Sequence, residues 1–471
     1  MFGAVVKLEW RNVRRERSLW VIIGTFAAAV LFAAIGSRQF VGAERVVSVS
    51  AASAEALRFA ELRDEAHAIA AGAQVRDQNA NPTKPLSVGQ ELLPRVVRLP
   101  LAPLAPLAVG QRDILPQALT LTTRARLANA TEGDTASPAR RASGPFDLSF
   151  VLVFLLPLVI IATSFDLLSA ERERGTLALV LSQPVSLRTF VLGKASLRAG
   201  LLAVVTVALV VAGALIAGAR LAEPGAGVAL LLAIGLLLAY SSFWFALSLA
   251  VNAWGRSSPA NALALVGAWL ALAMVVPGLA SVAVDTVHPP PSRVELVNTT
   301  REAAREASGR TIAIEGDHGK PQSDDATARR AIAAQADLER QVEPVLSSFR
   351  ERHAAQQALV DKLRFASPAL LLHEGLSDVA GSGAVRHQHF LVQVDAFHAE
   401  LKAFFHERAE VGRHLDADDY AAMPRFAYAE PAPVGVASRV FGAAFALLAM
   451  TAALLAVAFA GLRRYFSRGL R

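Results

Sequence analysis

Six stretches of this chain are long, apolar and free of Asp, Glu, Lys and Arg. They are residues 19–37, 148–165, 199–219, 224–255, 257–284 and 440–462. A helix needs about 20 apolar residues to cross the hydrocarbon core of a bilayer, which is ~30 Å thick. The composition agrees, because 54% of the 471 residues are hydrophobic. The pattern predicts an all-α polytopic membrane protein with six transmembrane helices.

The boundaries of these helices follow from the flanking charges and turn residues. We predict transmembrane helices at residues 19–37, 147–168, 198–219, 227–251, 259–284 and 438–462. The fourth run is longer than a straight crossing needs, so part of it is expected to tilt or to lie at the interface. We expect the first helix to be retained, because it is long for a signal peptide and no small-x-small cleavage site closes it.

Lys and Arg are unequally distributed among the segments that connect these helices. They are concentrated in residues 1–18, 169–197 and 463–471, whereas the loop between the third and fourth helices carries only Arg220 and Glu223. By the positive-inside rule, the three basic segments are cytoplasmic. We therefore expect a bacterial inner-membrane protein with both termini in the cytoplasm. These cytoplasmic segments account for the net charge of +7, so we expect no nucleic-acid partner.

Two long segments are left for the opposite side, residues 38–146 and 285–437. The first contains a helical pattern at residues 51–73 and a proline-rich stretch, "LPLAPLAPLA", that we expect to be extended. The second contains two amphipathic helical patterns, one over 326–365 that we expect to break at Pro344 and one over 389–411. The apolar face of the latter is Phe390, Val394, Phe397, Leu401 and Phe404. These segments are predicted to be two large, mainly helical extracytoplasmic insertions.

The N-terminal segment, residues 1–18, has apolar side chains at helical spacing. Phe2, Val6, Trp10 and Val13 fall on one face, and most of the basic side chains fall elsewhere. This pattern is typical of an interfacial helix that lies on the inner leaflet with its apolar face in the lipid. The alternative is a basic segment whose only role is to set topology.

Known catalytic motifs are missing from the sequence. Gly193 and Lys194 do not form a P-loop, because Arg188 stands at the first glycine position and Ala195 follows the lysine. The stretch "HERAE" at His406 lacks the second histidine of a zinc protease motif. We expect no catalytic residue, no cofactor-binding residue and no enzymatic activity in this chain.

Histidines are frequent in the second insertion. They are His373, His387, His389, His398, His406 and His414. A metal site is one interpretation of this cluster. However, His387 and His389 are two residues apart and diverge on a helix. We therefore favour solvated or capping histidines and expect no metal.

The segment between the second and third membrane helices has a distinctive order. Four alternating charges, Glu171 to Arg174, precede Gly175, and a short amphipathic pattern follows. The apolar positions of this pattern are Thr176, Leu177, Val180 and Leu181. A short amphipathic helix at the cytoplasmic side is suited to enter a groove on a cytosolic partner. The charges would set its register there.

The stretch "ERERGTLALVLSQPVSLRTFVLGK" closely resembles the E-x-E-x-G-T-L…L-S-x-P-V-S-R…G-K segment of ABC-2 type transporter permeases. The matching residues are Glu171, Glu173, Gly175, Thr176, Leu177, Leu181, Ser182, Pro184, Val185, Ser186, Gly193 and Lys194. Leu187 departs from the pattern, and the usual basic residue is displaced to Arg188. The two large insertions look like those of the subgroup that carries a DUF3526 domain. That subgroup resembles the permease of nitrous-oxide-reductase maturation.

The resemblance implies the permease subunit of an ABC transporter, embedded in membrane lipid. Such permeases pair with a second copy or a sibling permease and dock a dimer of ATPase subunits, which binds the ATP. The residues implied to couple to the ATPase are Glu171, Glu173, Gly175, Thr176, Leu177, Leu181, Ser182 and Pro184. We expect them to move the second and fifth membrane helices during export or translocation of a substrate. The alternative is ATP-driven mechanotransmission to a periplasmic partner without solute transport, which the large insertions favour.

Overall fold

The computed structural model describes residues 2–75, 77, 80–110, 112, 115–124, 146–177, 182–183, 186–255, 257–289, 298–299, 301–302, 305 and 324–468. Within these residues six helices are long and apolar enough to cross a membrane. They are span 1 (Arg17–Ala70), span 2 (Leu148–Glu173), span 3 (Leu187–Ile216), span 4 (Ala226–Trp254), span 5 (Ser258–Val287) and span 6 (Pro433–Arg463). The predicted all-α polytopic fold is confirmed.

The insertions after spans 1 and 5 pack against each other, so they leave from the same end of the bundle. We name this end the insertion face. The opposite end, which carries the segment between spans 2 and 3, is named the coupling face. A separate N-terminal helix, α1 (Phe2–Arg15), precedes span 1 at the coupling face.

Span 1 is one unbroken helix of 54 residues, which corresponds to a length of about 80 Å. The sequence predicted a transmembrane helix at 19–37 and a separate helical piece at 51–73. The structure joins them, because the intervening residues contain neither proline nor a turn signal. The first insertion therefore begins as a direct extension of a membrane helix. Span 3 likewise starts earlier than predicted, at Leu187 instead of residue 198.

Spans 2 and 5 each contain a π-helical turn followed by a proline. Span 2 runs through helix Leu148–Phe150, π-turn Val151–Leu155, helix Leu156–Ser164, a turn and helix Ser169–Glu173. Span 5 runs through helix Ser258–Leu270, π-turn Ala271–Val275 and helix Val276–Val287. The prolines are Pro157 and Pro277, each the second residue after its π-turn. Since proline has no N–H group, both helices lose a backbone hydrogen bond at this point.

The carbonyl groups at these π-turns accept hydrogen bonds from other helices. Tyr240 Oη of span 4 donates to the Val153 carbonyl at 2.7 Å. Trp269 Nε1 of span 5 donates to the Phe154 carbonyl of span 2 at 3.1 Å. This second bond shows that the two interrupted helices touch at the same depth in the bundle.

The described part of the second insertion is mainly helical, as predicted, whereas the described part of the first beyond Ala70 consists mostly of turns and two short strands. The first contains helix Pro85–Ser87, π-turn Val88–Leu92, strand β1 (Arg95–Arg98), 3₁₀ turn Ala105–Leu107 and strand β2 (Ala118–Leu121). The strands form an antiparallel pair in which Arg95 lies opposite Leu121. The second contains helices α2 (Asp324–Leu363), α3 (Pro368–Ala380), α4 (Ala384–Glu410) and α5 (Ala417–Ala422), with a 3₁₀ turn, Arg364–Ala366, before α3.

Helix α2 continues through Pro344, so the predicted break at this residue is wrong. A single proline removes one backbone hydrogen bond. Val342, two residues before the proline, is 1% exposed and packs with Val345 and Phe349 of the same helix.

The two insertions share one hydrophobic core. Leu62 and Val88 of the first pack with Phe405 and Tyr420 of the second. A neighbouring cluster brings Val97, Leu99 and Leu121 of the first insertion against Phe390, Val394 and Phe397 of α4. We name the combined unit the insertion domain. Neither insertion could bury this amount of apolar surface alone.

Helix α3 joins the insertion domain to the membrane bundle. Its residues Leu371, Leu372 and Leu376 belong to the same core as the spans. Ser367 caps this helix and also donates to the Leu272 carbonyl in the π-turn of span 5 at 2.6 Å. Gly375 permits close approach, because a Cβ at this position would lie 2.3 Å from Cδ2 of Leu236 in span 4. The insertion domain and the spans are therefore packed together.

Candidate functional site at the coupling face

Glu171 at the end of span 2 is bound to span 3. Lys194 Nζ donates to Glu171 Oε1 at 2.9 Å, and Thr176 Oγ1 donates to the other carboxylate oxygen. The side chains of Glu171 and Lys194 are 19% and 9% exposed. A charged hydrogen bond at this degree of burial is stronger than one in water. The acid that the sequence assigned to a partner thus binds within the chain.

Glu173 caps the start of span 5. Its carboxylate accepts hydrogen bonds from the Ser258 backbone N–H at 2.6 Å and from Ser258 Oγ at 2.9 Å. Helix N-termini have unpaired N–H groups and a partial positive charge, so a carboxylate there is stabilising. Glu173 therefore connects the end of span 2 directly to the beginning of span 5.

Two buried asparagines form hydrogen bonds with the backbone of the turn that interrupts span 2. Asn252 Oδ1 of span 4 accepts from Leu168 N at 3.2 Å, and its Nδ2 donates to the Ser164 carbonyl at 3.0 Å. Asn261 Nδ2 of span 5 donates to the Phe165 carbonyl at 3.3 Å. Because these amides satisfy backbone groups that the broken helix leaves free, spans 4 and 5 fix the orientation of the coupling segment.

Arg198 of span 3 is the centre of a buried ionic cluster. Its Nε lies 2.9 Å from Glu9 of α1, and its Nη1 donates to the Thr163 carbonyl of span 2 at 2.5 Å. Glu16 at 3.4 Å and Asp166 at 3.9 Å complete the cluster. The Arg198 and Glu9 side chains are only 9% and 3% exposed. This cluster joins α1, span 2 and span 3.

Sequence reasoning missed this cluster, although one signal was present. Glu9 lies four residues from both Val5 and Val13, and these three residues form the buried face of α1. A charge in the middle of an apolar stripe indicates a buried partner, because an unpaired charge there is costly. The identity of the partner, Arg198, depends on tertiary packing.

The amphipathic helix α1 is present, but its contact face differs from the predicted one. Phe2 and Trp10 are 48% and 40% exposed, and Val6 is partly buried. Val13, predicted to face lipid, is fully buried in the core of the spans. Gly193 explains the close contact of α1 with span 3, because a Cβ there would lie 2.7 Å from Cγ1 of Val5. The lipid contact of Phe2, Val6 and Trp10 stays a prediction.

The remaining predicted coupling residues are partly described. Gly175 has a φ of +71°, the left-handed conformation that suits glycine after a helix. Leu177 is buried in a small core with Val5 and Phe190, and Ser182 is exposed. Leu181 and Pro184 lie outside the described residues, as do Val180 and Val185.

Two of the histidines in the insertion domain are placed differently from the prediction. His387 and His398 are buried rather than solvated or capping. His398 Nε2 lies 3.0 Å from the Thr122 carbonyl. Desolvation, helped by the nearby Arg112, lowers the pKa of His387 to about 4. In the described part of the chain no group of three or more His, Asp or Glu side chains is placed to hold a metal ion.

The comparison with protein families agrees with this architecture. The sequence matches the family described as ABC-2 family transporter protein over residues 3–470. No curated protein matches the chain. Because the match covers almost the whole sequence, the chain belongs to the ABC-2 transporter family, as a non-catalytic permease component that partners an ABC ATPase subunit.

Proposed function

We propose that this permease converts ATP hydrolysis by a separate ATPase dimer into movement of spans 2 and 5, and so exports or translocates a substrate. The observation that carries the proposal is the bond between Glu173 and the first residue of span 5. A force applied to residues 169–177 reaches span 5 through this bond. It reaches span 3 through the bond between Glu171 and Lys194.

The π-turns supply the places where the two moving spans can bend. Helices kink where the backbone ladder is interrupted by proline or by a π-turn. In spans 2 and 5 the interruptions touch through Trp269 and the Phe154 carbonyl. The parts of the two spans nearer the coupling face can therefore tilt together. The π-turns themselves are held by Tyr240, which donates to the Val153 carbonyl of span 2, and by Ser367, which donates to the Leu272 carbonyl of span 5.

The coupling face is the cytoplasmic face in this proposal. Its support is the basic character of α1, of residues 169–197 and of the tail. Both termini then lie in the cytoplasm of a bacterial inner membrane, and the insertion domain lies in the periplasm. Within the family we assign the chain to the subgroup with DUF3526-type insertions, similar to the nitrous-oxide-reductase maturation permease. The support is the position and size of the two insertions.

The proposed coupling can be tested with two carboxylate variants and a matched control. Glu173→Gln and Glu171→Gln weaken one charged hydrogen-bond site each, and Glu223→Gln changes a half-exposed acid at the insertion face. The permease is reconstituted in vesicles with its ATPase, and co-purification and ATP turnover are measured.

Charged hydrogen bonds contribute about 1.5–3 kcal/mol. We therefore expect Glu173→Gln to leave the complex assembled and to lower permease-stimulated ATP turnover by roughly tenfold. Glu223→Gln should have no effect. Unchanged turnover in both coupling-face variants would refute the proposed route.

Mechanotransmission to a periplasmic partner is a second candidate function. It is favoured by the shared core of the insertions and by the continuity of span 1 into the insertion domain. Such a domain would move as one body with the spans. ATP turnover in sealed vesicles without flux of any supplied solute, together with ATP-dependent movement of the insertion domain, would support this candidate over transport.

A further inference from the structure

The four alternating charges at the end of span 2 do not all have the same role in the structure. Glu171 binds span 3 through Lys194, at 2.9 Å. Arg172 Nη1 donates to the Gly255 carbonyl, at the end of span 4, at 2.5 Å. Glu173 binds the first residue of span 5. The first three charges are therefore each bound to a different span.

The signs of Arg172 and Glu173 match the helix ends that they contact. A helix carries a partial negative charge at its C-terminus and a partial positive charge at its N-terminus. The cation Arg172 lies at the C-terminus of span 4, and the anion Glu173 lies at the N-terminus of span 5. Gly255 leaves no room for a side chain in the loop between these spans, since an added Cβ would lie 1.7 Å from Asn261 Oδ1. The loop is therefore closely packed, with one charge of the matching sign at each of its ends.

Arg174, the fourth charge, has no such contact. Among the residues that the structure describes, none forms a hydrogen bond or an ion pair with its side chain, which is exposed. The same is true of Arg188, the second residue of span 3. A cation in the first turn of a helix opposes the helix dipole, so Arg188 does not stabilise span 3. Both arginines are free to contact another molecule.

The acids of the coupling face, as far as the structure describes it, are all paired within the chain. Two of them bind spans 3 and 5. The other three surround Arg198 and are Glu9, Glu16 and Asp166. By contrast, the exposed basic residues of α1 have no acidic partner in the described part of the chain, and they are Lys7, Arg11, Arg14 and Arg15. The surface that this face offers to a partner is therefore basic.

We propose that Arg174 and Arg188 bind acidic side chains of the ATPase subunit, while Glu171 and Glu173 stay bound to the permease's own spans. This inference rests on the proposed function, because it takes the coupling face as the face that meets the ATPase. It reverses the roles that the resemblance implied, in which the two acids contact the ATPase. A guanidinium group binds a carboxylate through two parallel hydrogen bonds, so the fitting partner surface is a groove with exposed Asp or Glu.

The position of Arg174 gives this contact a direct mechanical consequence. Arg174 is the next residue after Glu173, which binds span 5, and two residues after Arg172, which binds span 4. A displacement of Arg174 by the ATPase therefore reaches both spans within one helical turn. One cation contacts the partner, and its neighbours pass the movement on.

The proposal is tested with charge reversals at two exposed, unpaired arginines of the coupling face. Arg174→Glu changes the proposed contact, and Arg11→Glu on α1 is the matched control. Full-length variants are purified in neutral detergent, and their affinity for the purified ATPase subunit is measured by calorimetry at low and high salt. Thermal unfolding of each variant alone checks that it is folded.

We expect Arg174→Glu to weaken ATPase binding roughly tenfold or more, since a charged hydrogen bond is replaced by repulsion. Its affinity should also depend less on salt than that of the wild type. Arg188→Glu should act in the same direction, and Arg174→Lys should keep most of the affinity. Arg11→Glu, Glu171→Gln and Glu173→Gln should bind the ATPase almost as the wild type does.

Unchanged affinity in Arg174→Glu, or an equal loss in Arg11→Glu, would overturn the proposal. So would a loss in Glu171→Gln as large as that in Arg174→Glu. A loss that occurs only in bilayers with phosphatidylglycerol, and not in neutral detergent, would assign the arginines to anionic lipid and would also overturn it. These readouts are affinities, whereas the proposed function is tested by ATP turnover in Glu171→Gln and Glu173→Gln, so the two failures can be distinguished.

Discussion

The coupling face and the insertion domain differ in the interactions that stabilise them. At the coupling face, charged and amide side chains, chiefly Arg198, Glu173 and Asn252, join α1 and the spans in addition to the small apolar core around Val5 and Phe190. In the insertion domain the two insertions meet through apolar side chains such as Phe390 and Val394. Hydrogen bonds and ion pairs can be exchanged for others during a small displacement. A close-packed apolar core resists deformation. From this comparison we expect the coupling face to rearrange and the insertion domain to move as one unit.

The largest expected effect is at the ionic cluster. Arg198→Ala leaves Glu9 buried without its cation, and breaking a buried pair in this way costs about 3–5 kcal/mol. Arg188→Ala removes an exposed arginine at the start of the same helix and is the control. The free energy of unfolding, measured in detergent, should fall only for Arg198→Ala. The double variant Glu9→Gln with Arg198→Met should recover most of it, and an equal loss in both single variants would contradict the comparison.

The stability of the insertion domain should fall when buried apolar side-chain volume is removed from its core. Val394→Ala removes two methyl groups that are 1% exposed, whereas Val392→Ala removes the same groups from a side chain that is 62% exposed. We expect Val394→Ala to lower the free energy of unfolding by about 2 kcal/mol, since buried methyl groups leave a cavity. Val392→Ala should change it little. The ATP turnover of both variants should match the wild type at temperatures where the protein is folded.

Acid should weaken the insertion domain through His387. Its pKa is about 4 in the fold, because burial and then Arg112 disfavour the charged form. Below the ordinary pKa near 6.5 the unfolded chain binds the proton and the folded chain does not, so stability falls as pH falls from about 6.5 to about 4. At pH 5.5 the loss from this group is roughly 1.5 kcal/mol.

This pH effect is measured as the change in melting temperature between pH 7.5 and pH 5.5. Substitution of His387 by Asn removes the titrating group and should reduce the change. The same dependence in the wild type and in His387→Asn would show that His387 does not cause it.

The smallest expected effect concerns the π-turn of span 2. Tyr240→Phe removes the hydroxyl that donates to the Val153 carbonyl. A lost buried hydrogen bond costs about 1 kcal/mol. Since the bond holds the π-turn, we also expect ATP turnover to change in Tyr240→Phe, although the variant keeps the aromatic ring. Unchanged stability and unchanged turnover together would show that this bond is dispensable.

Several elements of the fold could be predicted from the sequence because they depend on local composition. Each membrane helix is an uncharged run of sufficient length, and α1 and α4 follow from apolar residues at helical spacing. The passage of α2 through Pro344 could not be predicted in this way, because proline usually ends or bends a helix. The unbroken helix from Arg17 to Ala70 had a local signal that was missed, the absence of proline between its two predicted parts.

The coupling face was only partly predictable. The resemblance of residues 171–194 to known permeases identified Glu171, Glu173 and Lys194 as residues of interest. Their partners were not identifiable, since Ser258 lies 85 residues from Glu173. Arg198, Asn252 and Asn261 were missed because a single polar residue near the end of an apolar helix has the same local pattern whether it faces water, lipid or another helix.

The sequence by itself determined the number of membrane helices, the unequal distribution of basic charge and the family of the chain. These properties follow from the transfer of apolar and charged groups into a bilayer, which is a matter of composition over short windows. The tertiary structure alone decided that Glu173 caps span 5, that Arg198 neutralises Glu9 and that two remote insertions form one core. Each of these depends on contacts between residues far apart in the chain, and their energies are set by burial and by distances that no local pattern specifies.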